Sequence, residues 1–139
     1  MTYENKQFEE FIAPTGRITP LVTFDPSGRL YLSSALTQIH KLNEKDFPDV
    51  KIYFNKSDEI IAIKPLKNKE NGSIKLKYGK QGGGFINSRA FAIKYEMVDK
   101  TENGDFKLKD KYKGKYYITD EEITGIGRVF ILKLRDRRK

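Results

Sequence analysis

The chain contains no cysteine and no tryptophan, and His40 is its only histidine. Without thiols there is no disulfide, no thiolate zinc site and no cysteine nucleophile, and one imidazole cannot build a multi-histidine metal centre. Long apolar runs are also missing, since no segment approaches the roughly 18 apolar residues of a membrane-spanning helix. The N-terminal residues are polar and acidic, unlike a secretory signal peptide. The sequence therefore predicts a cytoplasmic protein with no membrane partner, no metal and no cofactor.

What is present fits one folded domain. The chain has 139 residues and a mass of 16.1 kDa, the size of a single domain. Eight tyrosines and nine phenylalanines argue against disorder, because disordered chains lack the large side chains whose burial offsets chain entropy. A chain of this length buries roughly two-thirds of its unfolded surface and needs no covalent staple.

Positive charge is unevenly distributed. The formal net charge is +8, but residues 1–63 carry seven basic and nine acidic side chains. Residues 64–100 carry nine basic and three acidic side chains, and residues 101–139 carry eleven and seven. A one-sided positive field attracts polyanions through counterion release. Two interpretations stay open: a nucleic acid or other polyanion partner, or a lysine-rich surface that only keeps the protein in solution.

The first half of the chain predicts two strands, a helix and a hairpin. Branched residues over 18–24 predict a strand, Asp25–Gly28 a turn, and residues 29–32 a short strand. Ser33 or Ser34 then caps a helix over 35–42. The apolar side chains expected to face the core from this helix are Ala35, Leu36, Ile39 and Leu42. Residues 50–54 and 59–64 predict a hairpin that Pro65 closes.

The second half predicts a similar order of elements. Residues 73–78 and 85–86 read as strands, and Asn87-Ser88 as the cap of a helix over 89–97 whose core-facing residues are Ala90, Ile93 and Met97. Residues 99–112 predict a mobile loop. Residues 115–119 and 123–134 predict a last hairpin, with a turn near Asp120-Glu121-Glu122 and a bulge or kink at Gly125 and Gly127.

The repeated order of elements predicts two similar units in one domain; the alternative is that two β-helix-hairpin stretches look alike by chance. Tyr31–Ile39 aligns without gaps on Phe85–Ile93, 54 residues later, with Ser34 matching Ser88. The predicted organisation is an N-terminal arm over 1–17, units over 18–66 and 73–134, and a basic tail over 135–139. Each unit alone exposes a hydrophobic face, which it buries against the other. The predicted fold class is α+β: mostly antiparallel β, a small barrel from two β-helix-hairpin units, with two short helices.

One stretch resembles a known family. In residues 27–42, Ser27-Gly28-Arg29 comes before an apolar strand and a capped helix. A hairpin follows over residues 50–65 and ends in Lys64-Pro65. Together these two stretches resemble the AbrB/SpoVT swapped-hairpin DNA-binding domain. The resemblance covers about 22–66. It departs from the family where Ser33-Ser34 replaces the proline that opens the helix, and where Phe47-Pro48-Asp49 replaces a Gly-Asp pair.

The resemblance implies an interlocked β-barrel in which two units exchange hairpins, within one chain as a monomeric pseudo-dimer or between two chains as a homodimer. It also implies DNA contacts by Arg29 and, as a weaker match, Lys56. The second half, with its Gly82-Gly83-Gly84 run, is similar to small uncharacterised phage-encoded proteins. In that case the protein acts in the host cytoplasm.

The loop Gly79–Gly84 before the second helix has two interpretations. Free backbone N–H groups at a helix start attract anions, but the loop matches neither GxxxxGK[ST] nor GxGxxG. The alternative is a connector whose glycines let two strands approach closely. As an anion-binding loop its residues are Gly82, Gly83, Gly84, Asn87 and Ser88. The polar side chains to test there are Lys80, Gln81, Asn87, Ser88 and Arg89.

Other chemistry-bearing residues have structural interpretations. His40 lies near a helix C-terminus, where partial positive charge is favourable, and the acids Asp120–Glu122 are expected to face water at a turn. Ser33 and Ser34 lack a neighbouring base, so capping is preferred over a nucleophile and no catalytic residue is assigned. Tyrosines among lysines either stack bases or belong to the core. These tyrosines are Tyr31, Tyr53, Tyr78, Tyr95, Tyr116 and Tyr117.

The sequence therefore predicts a non-enzymatic nucleic-acid-binding protein, with DNA favoured over RNA, as a regulator from a phage or mobile element. The alternative is a protein-interaction module, such as an inhibitor of a host system, whose basic face meets an acidic protein surface. The candidate nucleic-acid contacts are Arg29, Lys56, Lys75, Lys77, Lys80, Arg89, Arg135, Arg137 and Arg138.

Overall fold

The computed structural model of the chain describes residues 8–11 and 19–137. Most of the predicted arm, together with Arg138 and Lys139 of the predicted tail, lies outside these residues. The strands are β1 Leu21–Phe24, β2 Leu30–Leu32, β3 Asp49–Asn55, β4 Ile60–Leu66, β5 Ile74–Tyr78, β6 Gly84–Ile86, β7 Val98–Lys100, β8 Phe106–Leu108, β9 Gly114–Tyr117, β10 Thr119–Ile123 and β11 Gly127–Lys133. The helices are α1 Ser34–Ile39 and α2 Arg89–Lys94, and a 3-10 turn covers Leu134–Asp136.

Nine antiparallel strands form one curled sheet in the order β10-β11-β4-β3-β5-β6-β2-β1-β9. The two end strands, β9 and β10, follow each other in the chain and are separated only by Ile118. The sheet therefore curls into a nearly closed barrel, and the predicted small α+β barrel with two short helices is confirmed. Strands β7 and β8 form a separate two-stranded sheet.

Period-two alternation places one face of most strands in the core. Val22 and Phe24 of β1, and Leu30 and Leu32 of β2, are almost fully buried, while Thr23 and Tyr31 between them point outward. Strand β4 is buried on both faces, since Ile61 and Ile63 lie in the main core and Ala62 packs in a smaller cluster with Val129 and Ile131. The larger cluster holds the barrel together by removing apolar surface from water.

The hairpins β1–β2 and β5–β6 correspond residue for residue at a spacing of 54. Asp25 N–H donates to Arg29 O (2.9 Å) and Gly79 N–H to Gly83 O (2.8 Å). Gly28 and Gly82 close the two turns with φ of +85° and +94°, a region that side chains rarely adopt. Strand β2 pairs with β6 so that Tyr31 faces Phe85. A local pseudo-two-fold axis therefore passes between these two side chains.

The helices correspond as well, but at a spacing of 55, because Asn87 adds a residue before α2. Ser33 is the N-cap of α1, and its hydroxyl accepts from Leu36 N–H; Ser88 occupies the same place in α2. Ser88 thus matches Ser33 rather than Ser34. Each helix is followed, two residues after its last residue, by a residue with positive φ: Lys41 at +54° and Glu96 at +57°.

Both helices are shorter than predicted. Because α1 ends at Ile39, that side chain turns outward and is 58% exposed, so its predicted place in the core is wrong. In α2 the buried residue is Ala92, whereas Ala90 and Ile93 are exposed. Met97 is buried as predicted, but it lies beyond the helix. The predicted stripes assumed that helical periodicity continued through the caps.

Ser88 does not cap its helix with its side chain. Its hydroxyl is fully buried and donates to Gly28 O (2.7 Å), which ties the start of α2 to the turn of the first hairpin. In the corresponding contact, Thr37 of α1 donates to Gly82 O in the turn of the second hairpin. Each hairpin turn is thus hydrogen-bonded to the helix that follows the other hairpin.

Three further predictions need correction. The expected mobile loop over 99–112 contains β7 and β8, and Leu108 is buried there. Asp120–Glu122 lie within β10, and the hairpin turn follows at 124–126, with Gly125 and Gly127 at its positive-φ positions. Strand β4 continues through Pro65 to Leu66, because its β11 pairing has already ended at Ile63 and no ladder N–H is needed on that side.

Candidate nucleic-acid interface

A row of outward side chains crosses five neighbouring strands. Lys115 of β9 lies opposite Thr23, Thr23 opposite Tyr31, Tyr31 opposite Phe85, and Phe85 opposite Lys77. All five point away from the core, because their neighbours along each strand point inward. The row places two aromatic rings at its centre and a lysine at each end.

The central rings form a stacked pair. The centroids of Tyr31 and Phe85 are 5.4 Å apart with an interplanar angle of 20°. Arg29 and Lys77 approach the Phe85 ring, each with its charged group 5.5 Å from the centroid. The negative face of an aromatic ring attracts cations, so Phe85 holds both charges at the surface. Tyr31 is 38% exposed, a large value for an aromatic side chain.

An open groove of about 1160 Å³ begins at this pair and runs to the loop Gly79–Gly84. Lys77 and Lys80 line it, together with Gln81 and the start of α1 at Ser34. No carboxylate is among the lining side chains of the groove within the described part of the chain. The groove is therefore positively charged and bordered by aromatic rings.

The glycines of the loop have a structural task. A Cβ on Gly83 would lie 3.0 Å from Leu32 O, and one on Gly84 3.0 Å from Leu76 Cδ1. Gly82 needs its positive φ, and its carbonyl accepts from Thr37. The run of glycines thus lets the loop lie close to β2 and α1, as the connector interpretation requires. Ser88 is not at the loop, since its hydroxyl is buried against Gly28, whereas Asn87 is exposed beyond β6.

The candidate contacts divide into groups. Arg29, Lys77 and Lys80 gather at the aromatic pair and groove, and Lys75 lies on the same face of β5 as Lys77. Arg89 begins α2 beside Gly28, where its Cγ would be 4.0 Å from a Cβ on that glycine.

The remaining candidates do not line the groove. Lys56 is in the β3–β4 turn, and Arg135 reaches the same turn, donating to Ser57 O (3.0 Å) and to Glu59 (3.3 Å). Arg137 donates to the carbonyls of Asp110 and Lys113. Arg138 lies outside the described residues. The two arginines thus have bonds within the barrel.

Lysine marks one of the two corresponding hairpins, whereas the cation of the other is Arg29. At the 54-residue spacing, Lys77 corresponds to Thr23 and Lys80 to Pro26. The backbone of the two hairpins is the same, so folding does not require these lysines. Their presence on one side alone gives the surface a direction across the pseudo-two-fold axis.

Of the tyrosines proposed for stacking, several belong to the core. Burial raises the pKa of Tyr116 and of Tyr78 to about 12, and their hydroxyls donate to Tyr112 O and Phe47 O. Tyr95 packs against Phe54 and Phe91. Phe85 was not among the residues predicted to stack on bases. The gap-free match of Tyr31 with Phe85 in the sequence was the signal that could have identified it.

Asp120 forms an ion pair with Arg128, and His40 lies beside this pair. Arg128 donates to both carboxylate oxygens of Asp120 (2.5–3.1 Å), and this lowers the pKa of that carboxyl. His40 Nδ1 lies 3.7 Å from Asp120, and its ring packs on Phe130. Asp120 is thus engaged by an arginine. In residues 8–11 and 19–137, no group of three or more acidic or histidine side chains is placed to hold a metal ion.

The chain was compared with family models, curated proteins and solved structures, and none of the three comparisons gives a match. Among the described residues, no helix combines the length and apolar character needed to cross a lipid bilayer.

Proposed function

We propose that this protein binds nucleic acid on the outer face of β2, β5 and β6 and acts through binding rather than catalysis. The observation that carries the proposal is the stacked Tyr31–Phe85 pair, which holds Arg29 and Lys77 at the mouth of a basic groove. Aromatic rings interleaved with cations are the pattern that binds bases and phosphates together. The sequence resemblance to AbrB/SpoVT domains supports the proposal at one residue, Arg29.

A regulatory role in a phage or mobile element is an extension of this proposal that stands on the sequence resemblance alone. The basic side chains of the groove are lysines, which contact phosphates without reading base sequence. We therefore expect affinity without strong sequence preference from this surface.

The proposal is tested by a mobility-shift titration of the full chain with single-stranded DNA, RNA of the same sequence and duplex DNA. We expect a shift at about 50 mM salt that weakens steeply by about 200 mM. With three or four phosphate contacts, the plot of log affinity against log salt should have a slope of about −2 to −3 for a single strand. No shift with any of the three at low salt would contradict the proposal and favour an acidic protein surface as the partner.

A further inference from the structure

We propose that the Tyr31–Phe85 pair is a stacking platform for an unpaired base, so that the protein prefers single-stranded over duplex nucleic acid. This inference rests on the proposed function and adds the kind of strand and the ring that the base contacts. It goes beyond charge, because lysines alone attract both kinds of strand and favour the duplex, whose charge density is higher.

Tyr31 has one ring face that Phe85 does not cover. One face of Tyr31 is directed at Phe85, and Phe85 also receives Arg29 and Lys77. On the side away from Phe85, the cross-strand neighbour of Tyr31 is Thr23, whose side chain is small. Tyr31 is 38% exposed, so a planar base placed above Thr23 continues the stack of two rings by a third.

Lysines on either side of Tyr31 can contact the phosphates of a bound strand. The row runs from Lys115 to Lys77 across four strand spacings, about 19 Å at the usual separation of neighbouring strands. A base stacked on Tyr31 therefore has one lysine on each side, with Lys80 further along the groove. This arrangement of a base platform between phosphate contacts suits a strand of a few nucleotides.

A duplex cannot stack a base on Tyr31 without opening. Bases in a duplex are stacked on one another, and a base must be unpaired and unstacked before it can cover a side-chain ring. A face with rings standing at the centre of a sheet contacts a duplex only through its phosphates. Single strands therefore gain the stacking contribution, which duplexes lose.

The test is a fluorescence-anisotropy titration of the full chain with labelled single-stranded DNA, RNA and duplex DNA. We expect at least one of the two single strands, DNA or RNA, to bind at least about 10-fold more tightly than the duplex. The strand that binds more tightly identifies the preferred nucleic acid. Tyr31→Ala should weaken single-strand binding by about 5- to 150-fold, the range for loss of one base–aromatic stack. Tyr31→Phe keeps the ring and should retain affinity within about twofold.

Matched variants separate stacking from folding. Phe106→Ala removes a ring with the same 38% exposure on the separate two-stranded sheet and should leave affinity unchanged. If Tyr31→Ala proves unfolded by circular dichroism, Tyr31→Ile keeps a branched, strand-favouring side chain while removing the ring, and the same loss is expected.

Two results would overturn the inference while leaving the proposed function standing. One is duplex binding as tight as single-strand binding. The other is unchanged affinity in a folded Tyr31→Ala or Tyr31→Ile variant. Absence of binding to every nucleic acid is a different result, because it removes the proposed function itself.

Discussion

Replacing Lys75, Lys77 and Lys80 together with glutamate is expected to weaken single-strand binding by at least about 100-fold at 0.1 M salt. Each lysine that neutralises a phosphate contributes about 0.7 to the slope of log affinity against log salt, so three contribute about 2. Relative to 1 M salt, a slope of about 2 corresponds to a factor of about 100 in affinity at 0.1 M salt, which the variant should lose. The introduced carboxylates add repulsion. The salt slope should fall toward zero, as measured by anisotropy from low to moderate salt.

The control for this variant has the same change in charge at another place. Lys100, Lys107 and Lys109 lie on or beside the β7–β8 sheet and do not line the groove. Their replacement with glutamate should lower affinity much less, through the long-range field alone. Equal losses in the two triple variants would show that net charge rather than the groove determines binding. Both variants should keep a denaturation midpoint close to that of the wild type, because five of the six replaced lysines are exposed and the sixth, Lys109, is half-buried.

The largest effect on stability is expected from Phe24→Ala. Phe24 is fully buried at the end of β1, where it pairs with Leu30 on one side and Gly114 on the other. Truncating a buried phenylalanine removes its transfer free energy and leaves a cavity, which costs about 3–5 kcal/mol. That is a large part of the 5–15 kcal/mol that stabilises a typical domain. We therefore expect the variant either to unfold at a much lower denaturant concentration than the wild type or not to fold at all.

Ile39→Ala is the comparison for Phe24→Ala. The apolar pattern of the sequence placed Ile39 in the core, but its side chain is 58% exposed in the structure. Its truncation should change the free energy of unfolding by no more than about 0.5 kcal/mol, as measured by urea denaturation. A loss of 2 kcal/mol or more, the range for a buried side chain, would mean that Ile39 is buried and that α1 continues past it.

Local signals were sufficient to predict most strands. The branched residues of 18–24, the alternation in 73–78 and the Asp25–Gly28 turn are local patterns, and the 54-residue spacing relates them, so the two hairpins were predictable. The errors came from tertiary context. Helix α1 ends at Ile39, shortly before Lys41 with its positive φ, although the apolar pattern of the sequence continues to Leu42. Strand β8 lies where Leu108 is buried and its N–H donates to Pro26 O.

The candidate interface was predicted only in part. The excess of lysine after residue 63 indicated where charge gathers, and it included Lys77 and Lys80. What sequence could not provide was the pairing of β2 with β6, a contact between residues 54 positions apart that places Tyr31 against Phe85. Arg135 and Arg137 were equally plausible from charge alone, and only the structure shows their bonds to the barrel.

The most direct test of the account is where a bound strand touches the protein. A single-stranded oligonucleotide carrying 5-bromouracil is bound to the full chain, crosslinked by ultraviolet light, and the tryptic peptides are identified by mass spectrometry. We predict crosslinks in the peptides Leu30–Lys41 and Gln81–Arg89, which contain Tyr31 and Phe85. Crosslinks confined to other peptides, with neither of these labelled, would contradict it.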